Sequence, residues 1–478
     1  MGNVFNNFSG DTICAIATAM SDAGIGIIRV SGNEAVDICD KIYCSAGMVH
    51  NLKSHKPNSI VYGYICDERK KTDDKIIDEI MISYMKAPHS YTKEDVIEIN
   101  SHGGMLVMNQ ILNLLIENGC RLAEPGEFTK RAFLNGRIDL TQAEAIMDVI
   151  SAQNNFALES SQNQLRGKIL KKIKSYREKI LYQMAFIESA LDDPENYDLD
   201  GNNDKLKKIL NDIISDIEVL LSTADEGLIR KNGIKTVIVG KPNAGKSSLL
   251  NALTGSERAI VTDIAGTTRD IIEETVRLGD IVLHVIDTAG IRNTNDVIEK
   301  IGVDKAKAKV MEADLILYIL DSTSNIDDED KEIISLCRNK KTIVLLNKDD
   351  IEDKNKISND IVRMLFSEVS NEYFPIIRTS MLKGDGLENL KEAVSDLFFN
   401  GEIVPKREVY ITNLRHKELL LKTLESLKLV INSIDSGLSE DFYTVDLTSA
   451  YTSLGEIIGE EIGDDLAEEI FSKFCMGK

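Results

Sequence analysis

The stretch Gly240-Lys241-Pro242-Asn243-Ala244-Gly245-Lys246-Ser247 decides the reading of this chain. It has the form G-x-x-x-x-G-K-S and stands between an apolar run, Thr236 to Val239, and a helical run, Ser247 to Leu253, which is the strand-loop-helix context a phosphate-binding loop requires. The glycines let backbone N–H groups turn towards a triphosphate, Lys246 neutralises the β and γ oxygens, and the Ser247 hydroxyl completes a magnesium shell. Asn243, Ala244, Gly245 and Ser248 complete the phosphate side of the site.

Outward from this loop, residues 233 to 400 alternate short β-like runs with helical ones: Thr236 to Val239, Ile281 to Ile286, Leu315 to Leu320, Thr342 to Leu346 and Pro375 to Arg378. The pattern predicts a doubly wound, mostly parallel sheet covered on both faces, with ligands at the carboxyl ends of its strands. Four further motifs fall there. Thr262-Asp263-Ile264-Ala265-Gly266-Thr267-Thr268 supplies Thr268 for magnesium and the γ-phosphate, and Asp287-Thr288-Ala289-Gly290 supplies a carboxylate for the metal and an N–H for the γ-phosphate. Asn347-Lys348-Asp349-Asp350 reads N-K-x-D, in which Asp350 accepts from guanine N1–H and N2–H₂, a donor pair that adenine lacks. Thr379-Ser380-Met381 is placed to back guanine O6 through main-chain N–H. Together they read as a magnesium-dependent GTP site. Ile291 occupies the position at which Ras-like proteins carry a water-orienting glutamine, so hydrolysis needs another device, such as a second cation held by Asn243 and switch-loop carbonyls. Glu299 is a candidate to orient water, although spacing alone favours an ordinary exposed acid.

The chain has 478 residues, room for about three domains. Its net charge of −22 excludes a general basic surface for nucleic acid, so RNA contact must be local. The densest basic cluster is Arg166, Lys168, Lys171, Lys172, Lys174, Arg177 and Lys179; a solvated helix face explains it, and it is also the best local candidate for an RNA backbone. Seven scattered cysteines without a C-x-x-C pair or a nearby paired His point to reduced thiols in the cytoplasm. No apolar run is long enough to span a membrane.

Residues 1 to 135 mix strands and helices as an α+β domain, with the run Met105 to Glu117 read as a helix ending at Asn118-Gly119. Long helices are expected from 136 to 232 and from 401 to 478. Neither helical piece fills a core alone, so they are expected to pack together, making the nucleotide domain, 233 to 400, an insertion in a discontinuous helical domain.

With these residues assembled, the chain resembles the MnmE/TrmE family of tRNA wobble-uridine modification GTPases along nearly its full length. The resemblance is carried by Asp11-Thr12-Ile13, Gly26-Ile27-Ile28-Arg29-Val30-Ser31-Gly32, Tyr91-Thr92-Lys93-Glu94-Asp95-Val96, Glu98 with His102-Gly103-Gly104, the block Pro125 to Leu140 with Phe133-Leu134-Asn135-Gly136-Arg137, and the terminal Phe474-Cys475-Met476-Gly477-Lys478. It implies an N-terminal folate-binding and dimerisation domain, potassium-stimulated GTP hydrolysis, and a homodimer joined by an FAD-dependent partner in a heterotetramer that acts on tRNA. The implied reaction adds a carboxymethylaminomethyl-type group to C5 of the wobble uridine, with carbon from 5,10-methylenetetrahydrofolate or 5-formyltetrahydrofolate as the bound donor. Carried onto matching positions, the folate contacts are Arg29, Glu98, Arg137 and Lys478; the potassium ligands are Asn243, Thr262, Ile264 and Thr267; and Glu299 orients water. Two departures stand out. Thr18 leads into Ala19-Met20-Ser21-Asp22-Ala23 where the family has Pro-Pro-Gly and a basic residue, and Lys93 replaces a usual glycine. Cys475 is read as structural or positioning, and His102 as turn or packing chemistry. The rival reading is a ribosome-assembly GTPase, which predicts a basic RNA-binding appendage that the chain's charge does not provide.

Overall fold

The computed structural model describes residues 10–70, 75–193, 202–256, 273–286, 309–352, 356–367, 373–399, 401, 409–460, 463–474 and 477. The chain begins with β1 (Ile13–Ile16), β2 (Gly26–Ser31), α1 (Ala35–Ile42), β3 (Tyr43–Cys44), β4 (Ser59–Cys66), β5 (Ile76–Met85), β6 (Val96–Ser101), α2 (Met105–Glu117), β7 (Arg121–Leu122) and α3 (Glu127–Leu134). Helices α4 (Leu140–Ser151), α5 (Asn155–Leu165), α6 (Lys168–Asp192), α7 (Asn202–Leu221) and α8 (Ala224–Asn232) follow. The nucleotide segment contains β8 (Ile234–Val239), α9 (Lys246–Ser256), β9 (Glu273–Leu278), β10 (Ile281–Ile286), β11 (Leu315–Asp321), α10 (Asp328–Leu336), β12 (Lys341–Asn347), α11 (Asn359–Ser367), β13 (Ile376–Arg378) and α12 (Leu387–Phe399). The chain then continues through α13 (Leu414–Asp435), α14 (Glu440–Ile458) and α15 (Asp464–Ser472).

By contact density the chain divides into two compact units. One comprises Met1–Met147, Gln164–Gly201 and Asn432–Lys478; the other comprises Asp148–Asn163 and Asn202–Ile431. The first is built on a seven-stranded sheet in the order β3-β4-β5-β6-β2-β1-β7, antiparallel except where β7 lies beside β1. One face of this sheet packs Ile28, Val30, Ile82, Ile97 and Ile99 against Ile38 of α1 and Ile111 and Leu115 of α2. The second has a six-stranded sheet in the order β13-β12-β11-β8-β10-β9, parallel except for the β9–β10 hairpin. Apolar clusters cover both of its faces, as buried runs such as Leu315–Leu320 demand.

Helices from both sides of the nucleotide segment do pack on one another, in pairs. In the first unit Arg177 of α6 is buried, donates to Tyr451 O (2.9 Å) and Glu460 Oε2 (2.8 Å), and stacks over the Tyr451 ring at 3.8 Å. It therefore leaves the basic cluster, whose Arg166, Lys171, Lys172, Lys174 and Lys179 remain exposed. In the second unit Lys428 of α13 pairs with Glu218 of α7 at 2.7 Å, and Ile411 N–H donates to Thr223 Oγ1 at 3.2 Å. Within the stretch from 401 to 478, expected to be helical, Gly459 caps α14 with φ 89° and separates it from α15. No described helix is long and apolar enough to cross a membrane.

Candidate GTP site and the Arg29–Glu98 cluster

The carboxyl ends of β8, β11, β12 and β13 bring the nucleotide motifs together. The phosphate loop joins β8 to α9, with Asn243 at φ 63° and Gly245 at φ 113°. A Cβ on Gly245 would fall on the side-chain amide nitrogen of Asn347, and the left-handed backbone excludes one in any case. That amide is the hub of the site. Asn347, 4% exposed at the end of β12, donates through Nδ2 to Ala244 O at 2.9 Å and accepts at Oδ1 from Met381 N–H at 3.1 Å. One side chain thus clasps three loops. Met381 N–H, expected to face guanine O6, is committed to this frame.

Around the hub, Lys348 sits at φ 65° with its ammonium 2.6 Å from Asp321 Oδ2 at the end of β11. Burial would raise the Asp321 carboxyl, but the Lys348 ammonium and Thr323 hold it below the usual range. Asp350 Oδ1 accepts from Ser380 Oγ at 2.8 Å, a bond that lowers its pKa and keeps it an anionic acceptor, as recognition of the guanine edge requires. Asp349, the x of the motif, pairs with Arg378 at 2.9 Å and Lys356 at 3.3 Å. On the phosphate side, Lys246 Nζ donates to the carbonyls of Gly240 and Lys241, and burial lowers its pKa. A phosphate oxyanion would offset that desolvation, so the loop suits an anion. Lys241 anchors the loop on Asp327 (2.7 Å) and Asp330 (2.5 Å), the reciprocal cap of α10. Ser247 and Ser248 lie in the first turn of α9. Thr262, Asp263, Ile264, Ala265, Gly266, Thr267, Thr268, Asp287, Thr288, Ala289, Gly290, Ile291, Glu299, Cys475 and Lys478 lie outside the described residues.

The first unit gathers three of the four expected folate contacts around one aromatic ring. Arg29 and Glu98 are direct partners across β2 and β6, with Arg29 Nε and Nη2 donating to Glu98 Oε1 at 2.9 and 2.7 Å. The Arg29 guanidinium lies 5.3 Å from the Tyr91 ring centre, and Arg137 lies 4.7 Å from the same ring. Arg29 Nη1 also donates to Gly477 O at 2.9 Å, bringing Gly477 to this cluster. Gly477 has φ 88°, and a Cβ there would meet Ile16 O, so Gly477 lies against the backbone at the end of β1. The departure at Lys93 has a physical account. It takes φ 61°, the conformation that favours glycine, while its ammonium ties down Asn135 O (2.9 Å) and Gly136 O (3.0 Å) of the Phe-Leu-Asn-Gly block. Buried Glu127 and Arg131 of that block join Asp11, Glu94 and Arg121 in an ion-pair network. His102 is a surface partner of Asp78, at 2.7 Å.

Comparison with known proteins identifies the family. Residues 12–137 match the model described as "GTP-binding protein TrmE N-terminus", and residues 140–475 match "MnmE helical domain". The chain belongs to the MnmE/TrmE family. The "tRNA modification GTPase MnmE" of Lachnoclostridium phytofermentans is 48% identical over 98% of this chain and 99% of its own length. The protein of the same name from Lactobacillus johnsonii is 46% identical over the whole of both chains. Among solved structures, a single-residue variant of Aquifex aeolicus Era bound to GDP and AlF4− is 30% identical over 41% of this chain and 67% of its own, with a TM-score of 0.28. As a member of the MnmE/TrmE family this chain is a GTPase, and its nucleotide unit takes GTP with magnesium.

Proposed function

We propose that this chain is the GTPase of a tRNA-modifying complex and adds a carboxymethylaminomethyl-type group to C5 of the wobble uridine. The observation that carries this reading is the meeting of Arg29, Glu98, Tyr91 and Arg137 with the chain's own terminus at Gly477, in the same polypeptide as a guanine-type phosphate site. Tyr91 and the guanidiniums of Arg29 and Arg137, 5.3 and 4.7 Å from its ring centre, would pack against a flat heterocycle, and Glu98 Oε2 would take the amino and N3–H donors of a pterin. A folate bound there, 5,10-methylenetetrahydrofolate or its 5-formyl relative, supplies the one-carbon unit. Arg29, Glu98, Arg137 and Lys478 would hold it. Ser247 and Thr268 would hold magnesium. Asn243, Thr262, Ile264 and Thr267 would hold potassium, whose charge takes the place of an arginine finger, and Glu299 would orient water where Ile291 cannot.

In this account residues 1–135 form the folate-binding and dimerisation domain, 136–232 and 401–478 the helical domain, and 233–400 the GTPase domain. The working unit is a cytoplasmic homodimer joined by an FAD-dependent partner, with the exposed lysines of α6 available to a tRNA backbone. GTP and GDP bias two arrangements of the helices to different extents, and that differential affinity supplies the movement. The test measures GTP turnover in potassium and in sodium, together with folate binding by equilibrium dialysis. Faster turnover in potassium and saturable folate binding that is lost in Arg29→Ala are expected; equal turnover in the two salts or absence of folate binding would overturn the reading.

A further inference from the structure

Cys44, His50 and Glu68 lie away from both sites described above, yet their donor atoms converge within 4.8 Å of one another, the one such group of three among the described residues. Spacing in the sequence conceals them: Cys44 ends β3, His50 follows a turn, and Glu68 lies beyond β4. The expectation that no cysteine has a histidine partner is therefore corrected. We propose that these three side chains form a binding site for a zinc-class divalent cation.

The histidine is held for ligation before any metal arrives. The loop doubles back through Met48 N–H to Ser45 O (2.8 Å) and Ser45 N–H to Val49 O (3.0 Å), with Met48 at φ 56°. Asp40 fixes its far end, accepting Leu52 N–H at Oδ1 (2.7 Å) and His50 Nδ1 at its backbone oxygen (2.9 Å). A carbonyl only accepts, so Nδ1 bears a proton and Nε2 is the nitrogen left to offer a lone pair to a metal. A backbone carbonyl on the remote nitrogen is the usual support of a metal-bound histidine. Nε2 lies 3.9 Å from Cys44 Sγ and 3.5 Å from Glu68 Oε1. Tetrahedral zinc with bonds of about 2.3 Å to sulfur and about 2.0–2.2 Å to nitrogen and oxygen has edges of about 3.5 and 3.4 Å, so small shifts close the site.

The rival reading is a charged His50 paired with Glu68. Charge-assisted bonds run at about 2.7–2.9 Å, and 3.5 Å is too long for one. Cys44 is buried, so its sulfur is shielded from bulk water. Binding transfers the Cys44 thiol proton to solvent as the sulfur–metal bond forms. Lys75 lies 2.7 Å from Glu68 Oε2 and leaves Oε1 as the ligating atom. Metal, thiolate, carboxylate and ammonium then sum to +1, so the affinity falls below that of a four-thiolate site. Water fills the fourth position. The ion would pin the 45–50 loop to the end of β4.

The test is cobalt(II) titration of the chelator-stripped full-length protein, with zinc competition. A sulfur-to-cobalt charge-transfer band saturating at one equivalent and displaced by zinc is expected; cobalt in the oxygen-lined nucleotide site gives no such band. Cys44→Ser should abolish it, and Glu68→Gln should weaken cobalt binding at least tenfold, both with GTP turnover unchanged. If Cys44→Ser fails to fold, the half-exposed Glu68→Gln decides. Absence of the band in the wild type, or the same metal uptake in Glu68→Gln, the mark of an adventitious ion only, would overturn the assignment.

Discussion

Replacing Asn347 by Ala removes the clasp between the phosphate loop and the guanine loops. Two buried groups lose their partners, the Ala244 carbonyl and the Met381 N–H. Each orphan costs about 1–3 kcal/mol, so the pair costs about 2–6 kcal/mol, shared between the stability of the nucleotide unit and its grip on ligand. A binding share of about 1.4–2.8 kcal/mol is a ten- to hundredfold weaker Kd. The assay is equilibrium titration with a fluorescent GDP analogue, paired with thermal unfolding and with folate binding as a control in the other unit. Asn347→Asp sharpens the test: it keeps an acceptor for Met381 N–H but sets an oxygen against the Ala244 carbonyl, so it should bind no better than the alanine variant. Nucleotide affinity within twofold of wild type in Asn347→Ala, with an unchanged melting temperature, would refute the clasp.

Three further outcomes follow from the same geometry. Asp350→Asn should lose about a hundredfold or more in GTP affinity, because two hydrogen bonds to a charged acceptor, about 1.5–3 kcal/mol each, disappear, and xanthine nucleotides should gain; in the wild type, affinity should hold down to acidic pH and fall only as pH drops through the depressed Asp350 carboxyl. Arg29→Lys should weaken folate binding at least tenfold in dialysis despite the retained charge, since one ammonium cannot reproduce the three bonds of the Arg29 fork to Glu98 and Gly477. Lys93→Gly should leave the melting temperature within a few degrees, because relief of the left-handed backbone offsets the lost ammonium bonds, whereas Lys93→Ala loses the bonds and keeps the strain, and should melt lower.

The nucleotide unit was legible because phosphate and guanine chemistry fix residue types at short spacings, and the strands between them are continuous apolar runs. Edge strand β9 escaped because Glu273–Leu278 interleaves Val276 and Leu278 with charged residues in an antiparallel hairpin. The role of Asn347 as a clasp was not legible, because its amide reaches loops 103 and 34 residues away. In the first unit, Arg29 and Glu98 face one another only through strand register, 69 residues apart, so the resemblance, and not the spacing, pointed to them. The Cys44 group was invisible for the same reason. Arg177 shows the converse: one residue of a charged run turned inward, because it meets a carbonyl, a carboxylate and an aromatic face together.

The most direct measurement is mass spectrometry of wobble-uridine nucleosides in tRNA from cells lacking this chain, complemented with the wild type or with Lys246→Ala. Restoration of the C5 modification by the wild type alone is the outcome this account predicts. Full modification in the deletion strain, or equal rescue by Lys246→Ala, would contradict it.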